Sequence, residues 1–563
     1  MSNSTGLWML LVLGLAVPLT GLPVWALLVG VSGAFALGGL LLGGLSPAIL
    51  SALAPRLVGL LEHDLLQALP LYVFIGLLLQ RVAVADAVLQ AFDQLLRRSG
   101  RSPLASRALA GLGLGALIAP MSGSVAATAS LLARLCLPRL SALPPDRAVA
   151  VVAASATVGV VVPPSLVLLL LGDAMLRAHT EASNLPGYAQ VGQRIVNTQD
   201  VLHAALLPGL MVLLGWIAVT GWTTRSRTPG HGAADAPSRS RGAAEVGTTA
   251  PAPALARHTV LLALATITGI VVLLVGVFSG RLLAVEGAAS AGCIVALGAV
   301  LSRRLSCADW RDLLLETLAL SGALFALLVG ATTFSLVFRL FGTDAWLSGL
   351  LIDSSLPPAL LALGILALVG VCALVLDAFE MIFVIIPLVA PVLVLRLGDA
   401  QQVAVLLLLM LQLSFLLPPM GYAAVLVRSA RLRAGDVVLP WSALARALLP
   451  YLAVPLAVIL LVLAAPGWLH GFDEPNTLAA PVNAAPDADE VTRRMLEMAG
   501  SPQDATEAAD PAGADRPAAD AVPAPGASSH AERTDAERTD AERTDANQSS
   551  GRSSRAASIS SGR

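Results

Sequence analysis

The chain carries more long, uncharged apolar stretches than any water-soluble core could enclose. They run through residues 7–44 (interrupted at Pro18, Gly21 and Pro23), 65–80, 108–137, 148–172 and 204–222. After an interruption they resume at 259–280, 282–301, 313–338, 345–376, 378–395, 401–427 and 440–465. In helical geometry about 18 or more such residues cross a hydrocarbon core. Of the 563 residues 56% are hydrophobic and 13% charged, where a soluble domain is usually about a quarter charged. A surface this apolar is stable only against lipid or inside protein. The sequence therefore predicts an all-α, polytopic membrane protein set in the lipid bilayer. The four cysteines (Cys136, Cys293, Cys307 and Cys372) lie far apart with no CxxC, which suggests neither a metal site nor a disulfide framework. Nothing in the composition calls for a cofactor or for nucleic acid. No basic residue precedes Arg56, so the charged start of a secretory signal is missing and the first apolar segment is expected to be retained.

Two regions differ from the apolar body. Residues 225–258 are rich in Gly, Ala, Pro and Arg and read as a cytoplasmic, flexible linker between a first membrane repeat (1–224) and a second (259–469). Residues 470–563 contain few large apolar side chains and three AERTD copies, a composition that cannot offset its ordering entropy, so this polar tail is predicted to be disordered. Arginine placement gives a topology. The linker, the cluster Arg97, Arg98, Arg101 and Arg107, and the cluster Arg134, Arg139 and Arg147 all read as inside. The segment between the last two, about 108–137, would then enter and leave on one side, as a re-entrant hairpin. Residues 173–203 carry Asp173, Glu181 and Asp200 against Arg177 and Arg194 and read as outside. In the second half Arg303, Arg304, Arg311, Arg428, Arg431 and Arg433 are inside, leaving about 345–395 as a second hairpin that dips from the outside. Hairpins of opposite orientation imply inverted repeats.

The proline pairs point the same way. Pro163–Pro164 and Pro418–Pro419 stand 255 residues apart, in "VGVVVPPSLVLLL" and "LSFLLPPMGYAAV". Each proline deletes a backbone donor and distorts the preceding turn, and in lipid the freed carbonyls must find partners. The same offset carries Ser122 onto Asp377, so each pair follows a polar hairpin break by about 41 residues. Paired interrupted helices in corresponding halves are the pattern of a transport site at the membrane midplane.

The breaks supply the candidate site residues. In the first hairpin Ser122, Gly123, Ser124 and Thr128 let the chain turn, and the helix that follows would attract a carboxylate. At the first proline break Thr157, Gly159, Pro163, Pro164 and Ser165 offer hydroxyls and unwound carbonyls, hard oxygen ligands that suit sodium. The same small residues would also serve close helix packing. In the second hairpin Asp377 and Glu380 lie inside an apolar run, where a carboxylate is costly and by default functional. Ion coordination, a proton relay and simple capping of a half-helix remain open for them. At the second proline break the polar or permissive positions are Gln412, Ser414, Pro418, Pro419 and Gly421. Sodium would bind through backbone carbonyls near Ser122, Gly159, Asp377 and Ser414. Neither the seven histidines nor the eight tryptophans form a pattern that marks a site.

Taken together and in order, these motifs resemble the large permease subunit of tripartite ATP-independent periplasmic (TRAP) transporters. The resemblance covers about 6–468 and rests on "LPLYVFIGLLLQR" (Leu69 to Arg81), "SGSVAAT" (Ser122 to Thr128), "TVGVVVPPS" (Thr157 to Ser165), "TTFSLVFRLFGTD" (Thr332 to Asp344), "LDAFEMIFVIIPLVAP" (Leu376 to Pro391) and "LQLSFLLPPMGYA" (Leu411 to Ala423). It implies an elevator-type fold in the bacterial inner membrane and sodium-coupled import of a small-molecule carboxylate. It also implies two partners, a periplasmic substrate-binding protein and a small four-helix membrane subunit expected on a separate polypeptide. The chain departs from the family pattern at Met410 and Leu413, where an Asn and a Thr are common. Two other readings compete: an elevator symporter for carboxylates that needs no binding protein, and an intramembrane hydrolase using Asp173 or Asp377.

Overall fold

The computed structural model describes residues 5–43, 45, 51–62, 64–82, 84–122, 124–163, 165–183, 197–225, 257–301, 303, 305–374, 376, 378–418, 421–433 and 439–472. All but the margins of the expected linker (225–258) and polar tail (470–563) fall outside the described residues, as do Gly123, Pro164, Asp377 and Pro419.

Among the described residues there is helix and no strand. The first half contains α1 (Thr5–Thr20), α2 (Val24–Leu41), α3 (Leu53–Leu61), α4 (Asp64–Arg81) and α5 (Val84–Arg98). It continues with α6 (Pro103–Ser122), α7 (Val125–Cys136), α8 (Pro145–Thr157), α9 (Leu166–Ser183) and α10 (Thr198–Arg225). The second half begins with α11 (Arg257–Phe278), α12 (Ala284–Leu301), α13 (Cys307–Leu340), α14 (Thr343–Ile352) and α15 (Pro358–Cys372). It ends with α16 (Ala378–Leu397), α17 (Ala400–Ser414), α18 (Tyr422–Arg433) and α19 (Trp441–Ala464). Among the described residues seven of these helices are long and apolar enough to cross a membrane; α3 with Leu66–Arg81, bent by 50°, is either a broken eighth span or a re-entrant loop. Local chemistry sets the ends. Pro103, Pro145 and Pro358 open α6, α8 and α15, where a missing N–H costs nothing. Ser306 and Asp309 form a reciprocal capping box at the start of α13, a feature that contributes about 1 kcal/mol.

The 255-residue offset extends well beyond the proline pairs. It carries Pro103, the first residue of α6, onto Pro358, the first of α15, and Leu166, the first of α9, onto Gly421, next to the first of α18. Packing between the halves is reciprocal. Helix α9 packs on the C-terminal part of α16, and its counterpart α18 packs on α7, the counterpart of α16. Likewise α8 meets α19 while α10 meets α17. Contacts in which i meets j′ and j meets i′ are what a two-fold relation produces. At the centre lie α8 and α17, with residues Ala148–Thr157 and Ala400–Ser414 buried without exception. A helix buried all round belongs in the core, and these two lie within it.

The related helices α10 and α19 are tied by an indole: Trp216 Nε1 donates to the Tyr451 carbonyl at 2.9 Å. Beside it Thr220 Oγ1 and the Tyr451 hydroxyl lie 3.0 Å apart. Trp216 is fully buried, unlike a tryptophan anchored at the lipid interface.

Two sequence expectations change. The stretch expected as a second hairpin, about 345–395, is not a single helix pair: α14 ends at Ile352, residues Asp353–Pro357 interrupt the apolar run, and α15 begins at Pro358. The Pro357–Pro358 pair has no N–H with which to continue α14, and the Arg396 guanidinium donates to the carbonyls of Ile352, Ser354 and Leu356 left there, at 3.3, 3.0 and 2.7 Å. In the first half the stretch read as an outside segment from residue 173 is helical to Ser183, and Asp173 is buried within α9. Its carboxylate is held by Arg177 one turn on, at 2.9 Å.

Equivalent glycines set the depth at which each hairpin packs on its core helix. A Cβ at Gly115 of α6 would lie 1.9 Å from the Ser155 carbonyl oxygen in α8. At the 255-offset position, Gly370 of α15, it would meet only the flexible tip of Met410, Cε at 2.1 Å. Gly115→Ala is therefore expected to cost at least about 1–3 kcal/mol, and Gly370→Ala clearly less. Thermal unfolding of the two variants in detergent checks this, and equal losses would contradict it.

Candidate functional site

The site grows from two pairs of missing donors. Pro163 and Pro164 remove the N–H groups that would bond the carbonyls of Gly159 and Val160; Pro418 and Pro419 do the same to Ser414 and Phe415. Each half repairs its second carbonyl differently. Ser165 Oγ donates to the Val160 oxygen at 3.0 Å, whereas the Ala423 amide donates to the Phe415 oxygen at 3.1 Å. Ser165 also accepts from the Leu168 amide at 3.1 Å, so one hydroxyl both closes the break and caps α9. The Leu417 amide reaches the Ser414 oxygen at 3.3 Å, and the Gly421 amide the Leu417 oxygen at 2.7 Å. A Cβ at Gly421 would fall 2.7 Å from the Leu416 carbonyl carbon; the chain folds back too tightly there for any side chain.

The first hairpin sits directly on the first break. A Cβ at Gly159 would lie 2.3 Å from Ala119 Cβ and 2.5 Å from the Pro120 nitrogen. Ser124 caps α7 by accepting from the Ala127 amide at 3.2 Å, and Thr128 Oγ1 donates to the Ser124 carbonyl at 3.1 Å. Between hairpin and break lies a cavity of about 10 Å³ whose lining includes Ser124, Thr128, Gly159 and Ser165. That is about the room one water needs, or one dehydrated monovalent cation. Hydroxyl oxygens keep lone pairs after donating, so the lining can present oxygen to such an occupant.

A second cavity, of about 40 Å³, joins the two halves. Its lining takes Ser124 and Val125 from the start of α7, Val167 from α9, Ala378 and Phe379 from α16, and Tyr422 from α18. All four helices present their first turn. Helix N-termini carry unsatisfied N–H groups and about half a positive charge each, so their convergence favours an anion. The opposite ends of the paired helices, at Ser122, Thr157, Cys372 and Ser414, bring carbonyl oxygens and negative dipole ends to the same breaks.

One hydrogen bond joins equivalent positions of the halves. Gln412 Nε2 donates to Thr157 Oγ1 at 2.9 Å across a separation of 255 residues, the repeat offset itself. Contact between two residues that a two-fold relates places both on its axis. Both are fully buried, and among the described residues Gln412 Oε1 has no partner.

Most of the sequence-predicted residues that are described thus gather at these breaks. Ser124, Thr128, Gly159 and Ser165 share one cavity, and Thr157 and Gln412 touch. Ser122 ends α6, Pro163 follows the first break, and Pro418 precedes Gly421 in the second. Ser414 Oγ is turned back on its own helix, donating to the Leu411 carbonyl at 2.7 Å. Glu380 lies in the first turn of α16, immediately before a π-helical turn, Met381–Ile385. Sequence reasoning missed Val167, Phe379 and Phe415, apolar residues whose only signal is adjacency to a break, and took Asp173 for a segment-end charge.

A polytopic helical bundle with two helix–break–helix pairs packed on two proline-broken helices defines a membrane transporter of the paired-repeat class. Residues 7–468 match the family described as the Tripartite ATP-independent periplasmic transporter, DctM component, and the chain belongs to that family of inner-membrane permeases. It is 22% identical over 408 residues to the isethionate TRAP transporter permease protein DctMQ of Oleidesulfovibrio alaskensis, covering 71% of this chain and 57% of that protein. It is 28% identical over 195 residues to the sialic acid TRAP transporter large permease protein SiaM of Vibrio cholerae serotype O1, covering 34% and 44%. The aligned region thus spans about half the length of each relative. Among solved structures, the Alcanivorax borkumensis YdaH transporter, whose topology is described as unusual, superposes with a TM-score of 0.52 at 17% identity, covering 75% of this chain and 88% of that one. That likeness is one of fold. Membership of a permease family leaves the intramembrane hydrolase reading without support.

The Gln412–Thr157 contact can be measured. In a double-mutant cycle with Gln412→Leu and Thr157→Val, the coupling energy is expected to be about 1 kcal/mol. Thr157→Val also removes the hydroxyl's bond to the Ala154 carbonyl, 3.1 Å, but it does so in both Gln412 backgrounds, so that loss cancels and the cycle isolates the inter-half bond. Chemical unfolding in micelles gives the value, and strict additivity would show that the bond contributes nothing.

Proposed function

We propose that this chain is the permease subunit of a secondary transporter that imports a small organic acid, driven by sodium. The observation that carries the reading is the convergence of four helix N-termini, those of α7, α9, α16 and α18, on one cavity at the centre of the fold. Those positive ends would hold the carboxylate or sulfonate of the solute. Sodium would sit on the other side of Ser124, in the smaller cavity of hydroxyls and unwound backbone beside Gly159; Gln412 lies outside that lining and would act by joining the halves through Thr157. Anion at helix N-termini and cation at unwound carbonyls is the division of labour found at broken transporter helices.

The 40 Å³ cavity is far smaller than the ≈ 300 Å³ or more of a small-molecule pocket. It encloses the charged end of a solute at most, so loading requires the hairpin arms to part from the broken helices. In this reading α6–α7 and α15–α16 are re-entrant hairpins of opposite orientation, and they move with α8, α9, α17 and α18 as one body past the remaining helices. The relatives' names mention isethionate and sialic acid, both organic acids, which supports the solute class. A periplasmic binding protein delivers the solute and a small four-helix membrane subunit braces the permease.

Proteoliposomes holding the permease, its small subunit and the cognate binding protein test this. An inward sodium gradient is expected to drive accumulation of the organic acid, and Gln412→Leu to reduce the initial rate at least about tenfold, equivalent to about 1.4 kcal/mol. Solute that binds but never moves under the gradient rejects sodium-coupled transport. Undiminished uptake without the binding protein would favour the binding-protein-independent symporter.

A further inference from the structure

A larger cavity, of about 420 Å³, lies farther along α9 and α16, walled on its other sides by α3 and α13. Both α9 and α16 run from the small central cavity into this one. Val167 and Phe379 line the first, while Asp173, Ile382 and Phe383 line the second. The π-helical turn Met381–Ile385 carries the last two, and such turns are concentrated at functional sites.

The lining has one apolar and one polar side. Ile382, Phe383 and Pro387 of α16 with Leu328 of α13 form the apolar part. Two polar stripes also line the space, joined at one end by the Arg339–Glu181 pair. On α9, Asp173, Arg177 and Glu181 recur every four residues, and on α13, Thr332, Ser335 and Arg339 fall at i, i+3 and i+7, so each set shares one helix face. Arg177 is paired with Asp173 at 2.9 Å, and Arg339 with Glu181. Arg56 of α3 also lines the space and, among the described residues, has no hydrogen-bond or ion-pair partner. Arg339 Nε is buried and likewise unpartnered among the described residues. Three guanidiniums against two carboxylates leave a formal charge of +1, with spare donors, beside two hydroxyls and an apolar floor.

We propose that this cavity is a second binding site, which takes a small, water-soluble organic oxyanion, a carboxylate or sulfonate, on Arg56 and Arg339. Its volume suits such a solute, and its position makes it the antechamber to the hairpin-tip cavity. The assignment of an antechamber rests on the transport reading above; the affinity for oxyanions does not. Arg56 supplies the uncompensated charge, Arg339 the fixed donor, and Thr332 and Ser335 the hydroxyls that orient the polar end.

Thiol modification reads the sign of the cavity without transport, sodium or a binding protein. Ser335→Cys is introduced with Cys293, Cys307 and Cys372 changed to Ala; Cys136 is buried and stays. The purified permease is then treated with an anionic methanethiosulfonate reagent, bearing an ethylsulfonate, or a cationic one, bearing an ethyltrimethylammonium. The anionic reagent is expected to react faster relative to its rate with a free thiol. That preference should fall about tenfold in Arg56→Gln and return in Arg56→Lys, and lactate should protect the thiol. A preference unchanged by Arg56→Gln, or one for the cation, overturns the proposal. So does protection by phosphatidylglycerol in nanodiscs without protection by lactate, which would make the occupant a lipid headgroup. If Ser335→Cys fails to fold, Thr332→Cys on the same face gives the same readout. Loss of sodium-driven uptake with this electrostatic preference intact would instead count against the transport mechanism alone.

Discussion

Everything at the centre of this protein follows from backbone carbonyls that prolines have deprived of their donors. In water such a group costs little, since solvent replaces the missing partner. In a buried site each unsatisfied group costs several kcal/mol, so the surroundings must be built to answer it. Ser165 answers at Val160 and the Ala423 amide at Phe415. The geometry that results leaves helix ends facing one another rather than continuing through. Termini of seven helices then meet around two small cavities, and those termini bring both signs of partial charge with them.

The same constraint explains why small residues recur where they do. In the first half the neighbouring hairpin reaches the backbone of the broken helix at points where no Cβ intervenes. Gly159 and Gly115 in the first half meet backbone atoms at distances no side chain tolerates. In the second half the equivalents are Ser414 and Gly370, and Gly370 faces only the end of Met410. The halves share a plan but differ in rigidity. The first is fixed by backbone on backbone, the second by a flexible side chain that can give way.

Much of the plan could be read from the sequence because prolines inside apolar runs are conspicuous and their spacing is a number. The 255-residue offset of the proline pairs is also the separation of Thr157 and Gln412, so the sequence repeat alone pairs these two polar residues. Other features gave no such signal. Glu181 and Arg339 are 158 residues apart and belong to no shared motif: in the sequence Glu181 is one of several charges read as outside, and Arg339 is one residue of "TTFSLVFRLFGTD". Asp173 followed an apolar run and was read as its terminus, although helical periodicity carries it on to Arg177 and Glu181. Helix α5 is strongly amphipathic, with Asp86, Gln90 and Asp93 on its polar side; a search for uninterrupted apolar runs passes over it.

The reciprocal packing of α9 on α16 and of α18 on α7 has a consequence for how the chain is made. Neither half can complete its own central surface. The hairpin of the first half waits for α18, whose last residue is Arg433, while α9 waits for α16. During synthesis the first half can seat its own hairpin on its own break, Gly159 against Ala119 and Pro120, but the faces that α16 and α18 cover stay open until those helices have been made. Pairings at such long sequence separation are slow to close. A chain interrupted between the halves would leave the packing faces of α7 and α9 without the helices that cover them.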